Sequence, residues 1–162
     1  DRAELLCSTG KTVLLTNFQE YYKLSDYFSK YSTKKTVLTM GVDNLIKVFD
    51  EKYYSLLTGG VMEAFGKLFK KEIEIYLYPM LKEKKLITSN NLQVSDNMKN
   101  LYNFFKDNNK IIDIIDYDKK LLNIFSQQVL FEIQNKKSGW ENKLPKTISK
   151  LIKEKKLFGF KQ

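Results

Sequence analysis

Histidine is absent from the 162-residue chain, and cysteine occurs once, at Cys7. The first absence removes Ser-His and Cys-His nucleophile pairs, histidine metal ligands and imidazole general bases together. A single thiol forms no internal disulfide and, without histidine, supports no structural zinc site, so no metal site is expected. Cys7 lies in a polar segment and reads as an incidental thiol. The expected location is a reducing compartment, the cytoplasm. No apolar run approaches the roughly 20 residues of a bilayer-spanning helix, and the N-terminus lacks the basic-then-apolar order of a signal peptide. No membrane span is therefore expected. Arginine is nearly missing: Arg2 is the only one, although Lys and Arg number 28 against 19 Asp and Glu, a net charge of +9. Bidentate recognition of guanine or phosphate favours arginine, so specific nucleic-acid binding is not expected. Several lysine pairs, Lys70 with Lys71 and Lys136 with Lys137, fall where helices are expected to end and cations favour the dipole.

Hydrophobic residues make up 43% of the chain and aromatics 14%, enough apolar area for a core without staples. The length fits one domain, which at this size buries close to 70% of the surface of its unfolded chain. Residues 1–162 are read as a single α/β domain. The chain begins at Asp1 without an initiator Met and is read as a fragment, or C-terminal domain, of a longer protein.

Along the chain, Thr12-Val13-Leu14-Leu15-Thr16 is a β-branched and apolar run of the kind found in strands buried on both faces. Tyr21, Leu24, Phe28 and Tyr31 recur at helical spacing and predict a helix over Phe18 to Tyr31. A turn at 32–35 separates it from a second strand, Thr36 to Met40, which Gly41 ends. Asp43 or Asn44 is then placed to cap a helix through Phe49 and Glu51. Thr58-Gly59-Gly60 precedes an amphipathic helix carrying Val61, Met62, Phe65, Leu68 and Phe69. Glu72 to Tyr78 alternates as a strand, and the following Pro79 suggests a place near a sheet edge. Residues 82–93 read as a surface excursion, Ser95 as the cap of a helix with Met98, Leu101, Tyr102 and Phe105, and Ile111 to Ile115 as a fourth strand. A long, well-buried helix is expected from Lys119 to about Asn135, with a break at Ser138-Gly139-Trp140. Pro145 then opens a last helix. Strands alternating with helices predict a three-layer, Rossmann-like fold: a mainly parallel sheet of about four strands, helices on both faces and a helical C-terminus.

In open α/β sheets ligands bind beyond the carboxyl ends of the strands, where loops and helix N-termini converge. This rule nominates Asn17 and Glu20 (with Gln19) after the first strand, Gly41, Asp43 and Asn44 after the second, and Asp116 (with Tyr117) after the fourth. The bland alternative is that Asn17, Asp43 and Asn44 cap helices. Gly59 and Gly60 ahead of a helix offer unobstructed N–H groups to a phosphate or carboxylate, or else simply punctuate a turn. The pair matches neither the dinucleotide fingerprint nor the P-loop. Catalysis, if any, falls to carboxylates, lysine, tyrosine or electrostatic positioning. No motif identifies a cofactor.

Thr16-Asn17-Phe18-Gln19-Glu20-Tyr21-Tyr22-Lys23-Leu24, Met40-Gly41-Val42-Asp43-Asn44-Leu45 and Gly59-Gly60-Val61-Met62-Glu63-Ala64-Phe65-Gly66 resemble the C-terminal part of large bacterial proteins loosely described as nicotinate-nucleotide adenylyltransferase-related. The resemblance extends through Ile124-Phe125-Ser126 and Leu157-Phe158-Gly159-Phe160. It implies a companion domain beside an N-terminal portion absent from this chain. The paired-histidine motif of nucleotidyl transfer cannot exist here, so the resemblance carries over no catalytic residue.

The leading expectation is thus a domain that binds a nucleotide or phosphorylated small molecule together with a companion N-terminal domain. The main alternative is a noncatalytic protein-interaction or homo-oligomerisation module, which a surface cluster of Tyr53, Tyr54, Tyr76 and Tyr78 would favour. Nonspecific, salt-sensitive nucleic-acid binding through lysines is the third.

Overall fold

The computed structural model describes residues 2–70 and 73–161. Asp1, Lys71, Glu72 and Gln162 lie outside the described residues, and with them the second lysine of the Lys70 pair and the first residue of the strand expected from Glu72. The described residues form seven α-helices: α1 (Arg2–Cys7), α2 (Tyr21–Tyr31), α3 (Val42–Val48), α4 (Gly60–Leu68), α5 (Lys99–Asp107), α6 (Ser126–Gln134) and α7 (Lys146–Lys155). Five strands accompany them: β1 (Thr36–Gly41), β2 (Ile73–Tyr78), β3 (Met80–Lys82), β4 (Lys85–Ile87) and β5 (Ile111–Asp113). The chain divides into two compact units, one running over Phe18–Asp118 and the other built from the residues up to Asn17 and those from Lys119 onward.

The first of these units is α/β. Its parallel sheet has three strands in the order β1-β2-β5, and β3 with β4 makes a separate antiparallel pair. Leu38, Met40, Ile75, Leu77 and Ile111 share one face of the sheet through the registers Leu38 to Ile75, Met40 to Leu77 and Ile75 to Ile111. That face packs on Leu45, Val48, Phe49, Phe65, Leu68, Tyr102 and Phe105 from the helices. The other face carries exposed Val37 and Thr39 and half-buried Glu74, Tyr76 and Tyr78. Strand order follows chain order, so each crossover steps in the same direction, and right-handed crossovers then place their helices on the same face.

Three expectations are corrected. Residues 12–16 form no strand, and Leu14 and Leu15 are 57% and 77% exposed. Their β-branched composition fits a pleated surface, but a strand also needs a distant partner ladder, and no ladder among the described residues includes them. The parallel sheet accordingly has three strands rather than about four. β2, expected near an edge, is its central strand: it ends at Tyr78, so the missing N–H of Pro79 falls outside the ladder. The excursion at 82–93 opens with the β3–β4 hairpin, whose tip residues Glu83 and Lys84 both have positive φ without glycine.

The second unit is helical, with Leu5, Val129, Ile133, Trp140, Ile152 and Leu157 at its centre. Trp140 is 2% exposed and meets Phe160 edge-on at 5.9 Å. Ion pairs join Glu132 to Lys143 at 2.6 Å, Glu141 to Lys153 at 2.7 Å, and Glu4 to Lys155. The long buried helix expected from Lys119 is shorter. Residues 119–121 form a 3-10 turn, α6 begins at Ser126, and Phe125 and Phe131 point outward. The break at Gly139 is present, with φ of 95°, and Pro145 immediately precedes α7. No helix among the described residues is long and apolar enough to cross a membrane.

Candidate functional site

The residues nominated from the sequence separate. Asn17 is exposed coil in the helical unit. In the α/β unit Gly41 is the N-cap residue of α3, and Asp43 is exposed in that helix's first turn. Neither Asp43 nor Asn44 caps it, because both lie inside the helix. Asp116 is exposed beyond β5, beside Tyr117, whose ring meets Tyr78 edge-on at 6.2 Å.

Gly59 and Gly60 do open α4. α4 falls in the crossover between the parallel strands β1 and β2, and a crossover helix that returns antiparallel to its strands turns its N-terminus toward their carboxyl ends. The Gly59 N–H nevertheless donates to Glu63 Oε2 at 2.9 Å, while Lys67 Nζ contacts Glu63 Oε1 at 2.6 Å. A carboxylate of the same helix thus holds the place of an external anion. Lys67, followed by the Gly59 N–H, keeps the Glu63 carboxyl below its ordinary range, so it is ionised at neutral pH. Gly60 has φ of 52°, a conformation that disfavours any side chain.

Three nominated residues, Gln19, Glu20 and Asn44, share a cleft of about 200 Å³. Its walls are Gln19, Glu20 and Tyr21 at the start of α2, Asn44, Lys47 and Val48 of α3, and Tyr53 and Tyr54 of the 3-10 turn Glu51–Tyr54. Tyr54 is buried and fixes the turn to α3: its hydroxyl donates to the Val48 carbonyl at 2.6 Å, and burial pushes its phenol well above the ordinary range. Glu20 pairs with Lys23 at 2.8 Å, and that contact lowers its carboxyl pKa, so it meets a ligand as an anion. Lys47 has no ion pair among the described residues, and the side chains of Gln19 and Asn44 make no hydrogen bond there. Tyr53 is 44% exposed, with Lys52 Nζ 5.1 Å from its ring centroid. The cleft therefore offers one cation, one anion, two amides and an aromatic edge. These groups bind and orient a ligand. Lys47 escaped the sequence reading, although Asn44 and Lys47, at i and i+3, share a helix face, and Tyr53 entered that reading only in the interaction alternative.

The surface cluster of Tyr53, Tyr54, Tyr76 and Tyr78 that would have favoured an interaction module does not form. Tyr54 is buried, Tyr53 is exposed, and Tyr76 and Tyr78 are half-buried on the sheet. Asp113 was not nominated, yet its carboxylate ends β5 and takes two bonds from buried Ser89, the N–H at 2.8 Å and Oγ at 2.7 Å. Among the described residues no group of three or more Cys, Asp or Glu is placed to hold a metal ion.

Fold and cleft together define a small α/β protein with a parallel sheet and a polar cleft beside its helices. In comparisons with protein families, curated proteins and solved structures, the chain matches none.

Proposed function

We propose that the α/β unit binds a nucleotide or phosphorylated small molecule in the cleft between α2, α3 and the 3-10 turn. The observation that carries this reading is the gathering of Glu20, Asn44, Lys47 and Tyr53 around one concavity. Lys47 supplies charge to a phosphate, Glu20 accepts from sugar hydroxyls, and Tyr53 offers an edge to a base. The volume is below the roughly 300 Å³ at which pockets for drug-sized ligands begin. It suits a fragment of a nucleotide, in keeping with a Rossmann-like half-site that a companion N-terminal domain completes. Nicotinate-nucleotide metabolism in the cytoplasm is the setting that the sequence resemblance adds. Titration with nicotinate mononucleotide, AMP and inorganic phosphate tests it. A ligand at 100 times its dissociation constant raises stability by about 2.7 kcal/mol. A rise in melting temperature that Lys47→Ala abolishes is expected; no response to any of the three at millimolar concentration, or an undiminished response in Lys47→Ala, refutes the reading.

A noncatalytic self-association module is the second reading, favoured by an aromatic ladder on α2. Tyr31 is 74% exposed, with its ring tilted against that of Tyr27 at 4.9 Å, and Tyr27 in turn meets Phe18, ahead of the helix, at 5.6 Å. A dimer in light scattering that Tyr31→Ser dissociates supports it; a monomer at high micromolar concentration removes it.

A further inference from the structure

We propose that the helical unit carries a second binding site, for a small anionic amphiphile: an aliphatic chain ending in a carboxylate or similar anion. A groove of about 660 Å³ opens there, within the range of small-molecule sites. Its base is apolar and buried, formed by Leu5, Val129, Ile133 and Ile152, and Leu6 and Phe158 extend it outward. Leu6 is 56% exposed, a side chain that an aliphatic ligand would cover. Phe158 has φ of 55°, so a bulky residue adopts a left-handed backbone where its ring lines the groove.

The polar groups in the lining select the head group. Arg2 is the only arginine of the chain, and among the described residues it has no ion pair. Ser126 and Gln127 also line the groove and open α6, whose N-cap residue Phe125 makes no side-chain cap bond. Their N–H groups have no intrahelical acceptor, and the dipole favours negative charge there. Thr9, the remaining polar residue, donates its hydroxyl to the Leu6 carbonyl at 2.6 Å. Among the described residues no Asp or Glu lines the groove. Among the described residues the lining thus has one cation without an ion pair, no anion and an apolar base, which are complementary to an anion joined to an aliphatic chain and exclude a highly polar metabolite. The concave form suits a free monomer rather than a bilayer surface.

Dodecanoate below its critical micelle concentration is the probe, titrated into the full chain and followed by calorimetry and by emission of Trp140, which belongs to the same apolar cluster. Dodecanol and phosphatidylglycerol vesicles are the parallel arms. One dodecanoate per chain is expected, bound about tenfold more tightly than the alcohol, the effect of one charge-assisted contact. Arg2→Gln equalises the two affinities, and Leu6→Glu, a change at an exposed position, removes binding while far-UV circular dichroism is retained. If Leu6→Glu fails to fold, the Arg2→Gln ratio decides. The assignment is overturned by no dodecanoate binding, by equal affinities in the unmodified chain, by a full anion preference in Arg2→Gln, or by binding to vesicles alone.

Discussion

Replacing Asp113 by alanine removes the acceptor of both hydrogen bonds that Ser89 donates. Ser89 is 6% exposed; it gives its N–H to Oδ1 at 2.8 Å and its hydroxyl to Oδ2 at 2.7 Å, and its carbonyl accepts from Tyr102 at 2.6 Å. Alanine leaves a buried N–H without a partner, at about 1–3 kcal/mol, and strands a hydroxyl that can rotate toward another acceptor at smaller cost. The expected loss is about 2–4 kcal/mol. Asp113→Asn keeps one carbonyl oxygen for the N–H and loses about 1–2 kcal/mol, while Tyr102→Phe loses about 1 kcal/mol. Urea unfolding followed by far-UV circular dichroism measures all three, with an unchanged slope expected because the exposed surface is the same. The double variant is expected to show coupling, since both residues hold Ser89. If Asp113→Ala stays within about 0.5 kcal/mol of the parent, as an ordinary surface substitution does, or if Ala and Asn are equivalent, the network does not hold this end of the sheet.

Other perturbations follow from the same contacts. Ser25 is fully buried and donates to the Lys67 and Leu68 carbonyls at 3.0 and 2.7 Å, so Ser25→Ala is expected to cost about 1–2 kcal/mol in urea unfolding. Gly60→Val is expected to lower the melting temperature without testing anion binding, because φ of 52° strains any side chain; an unchanged melt refutes that conformation. Trp140→Ala empties the centre of the helical unit and is expected to cost about 3–5 kcal/mol, checked by denaturation. Glu63 has its folded pKa held below the ordinary 4.5, so its contribution is full above that value and is lost as pH falls through the folded pKa. Acid titration of melting is expected to show a decline below about pH 4.5 that is shallower in Glu63→Gln.

The sequence was informative where structure is set locally. Gly41 marks the end of β1, periodicity over 21–31 finds α2, and Ser138-Gly139 marks a break that Gly139 completes with a positive φ. It failed where an element depends on a distant partner. Thr12 to Thr16 and Thr36 to Met40 look alike in composition, yet among the described residues only the second joins a strand ladder, the one with Ile73 to Leu77. The hairpin of β3 and β4 was hidden because its tip is Glu83-Lys84 rather than a glycine or asparagine pair. The bond of Asp113 to Ser89 spans 24 residues and has no local signature. Glu20 and Asn44 reach one cleft because α2 and α3 pack on a common core, whereas the rule that nominated them spoke only of strand ends.

That rule meets a physical limit in this sheet. A crevice forms at the carboxyl edge of an open α/β sheet where the strand order reverses and neighbouring crossovers pass to opposite faces. The order β1-β2-β5 contains no reversal. Two polar groups at or near the strand ends are also already satisfied: the Gly59 N–H by Glu63 and the Asp113 carboxylate by Ser89. An external anion at Gly59 would displace a carboxylate that Lys67 also holds, and so gains little over the native contact. Lys47, Asn44 and Gln19, by contrast, reach the cleft with no partner among the described residues, so a ligand there exchanges water for new contacts without breaking old ones. This difference in what binding must displace, rather than proximity to the strand ends, puts the candidate site between α2, α3 and the 3-10 turn.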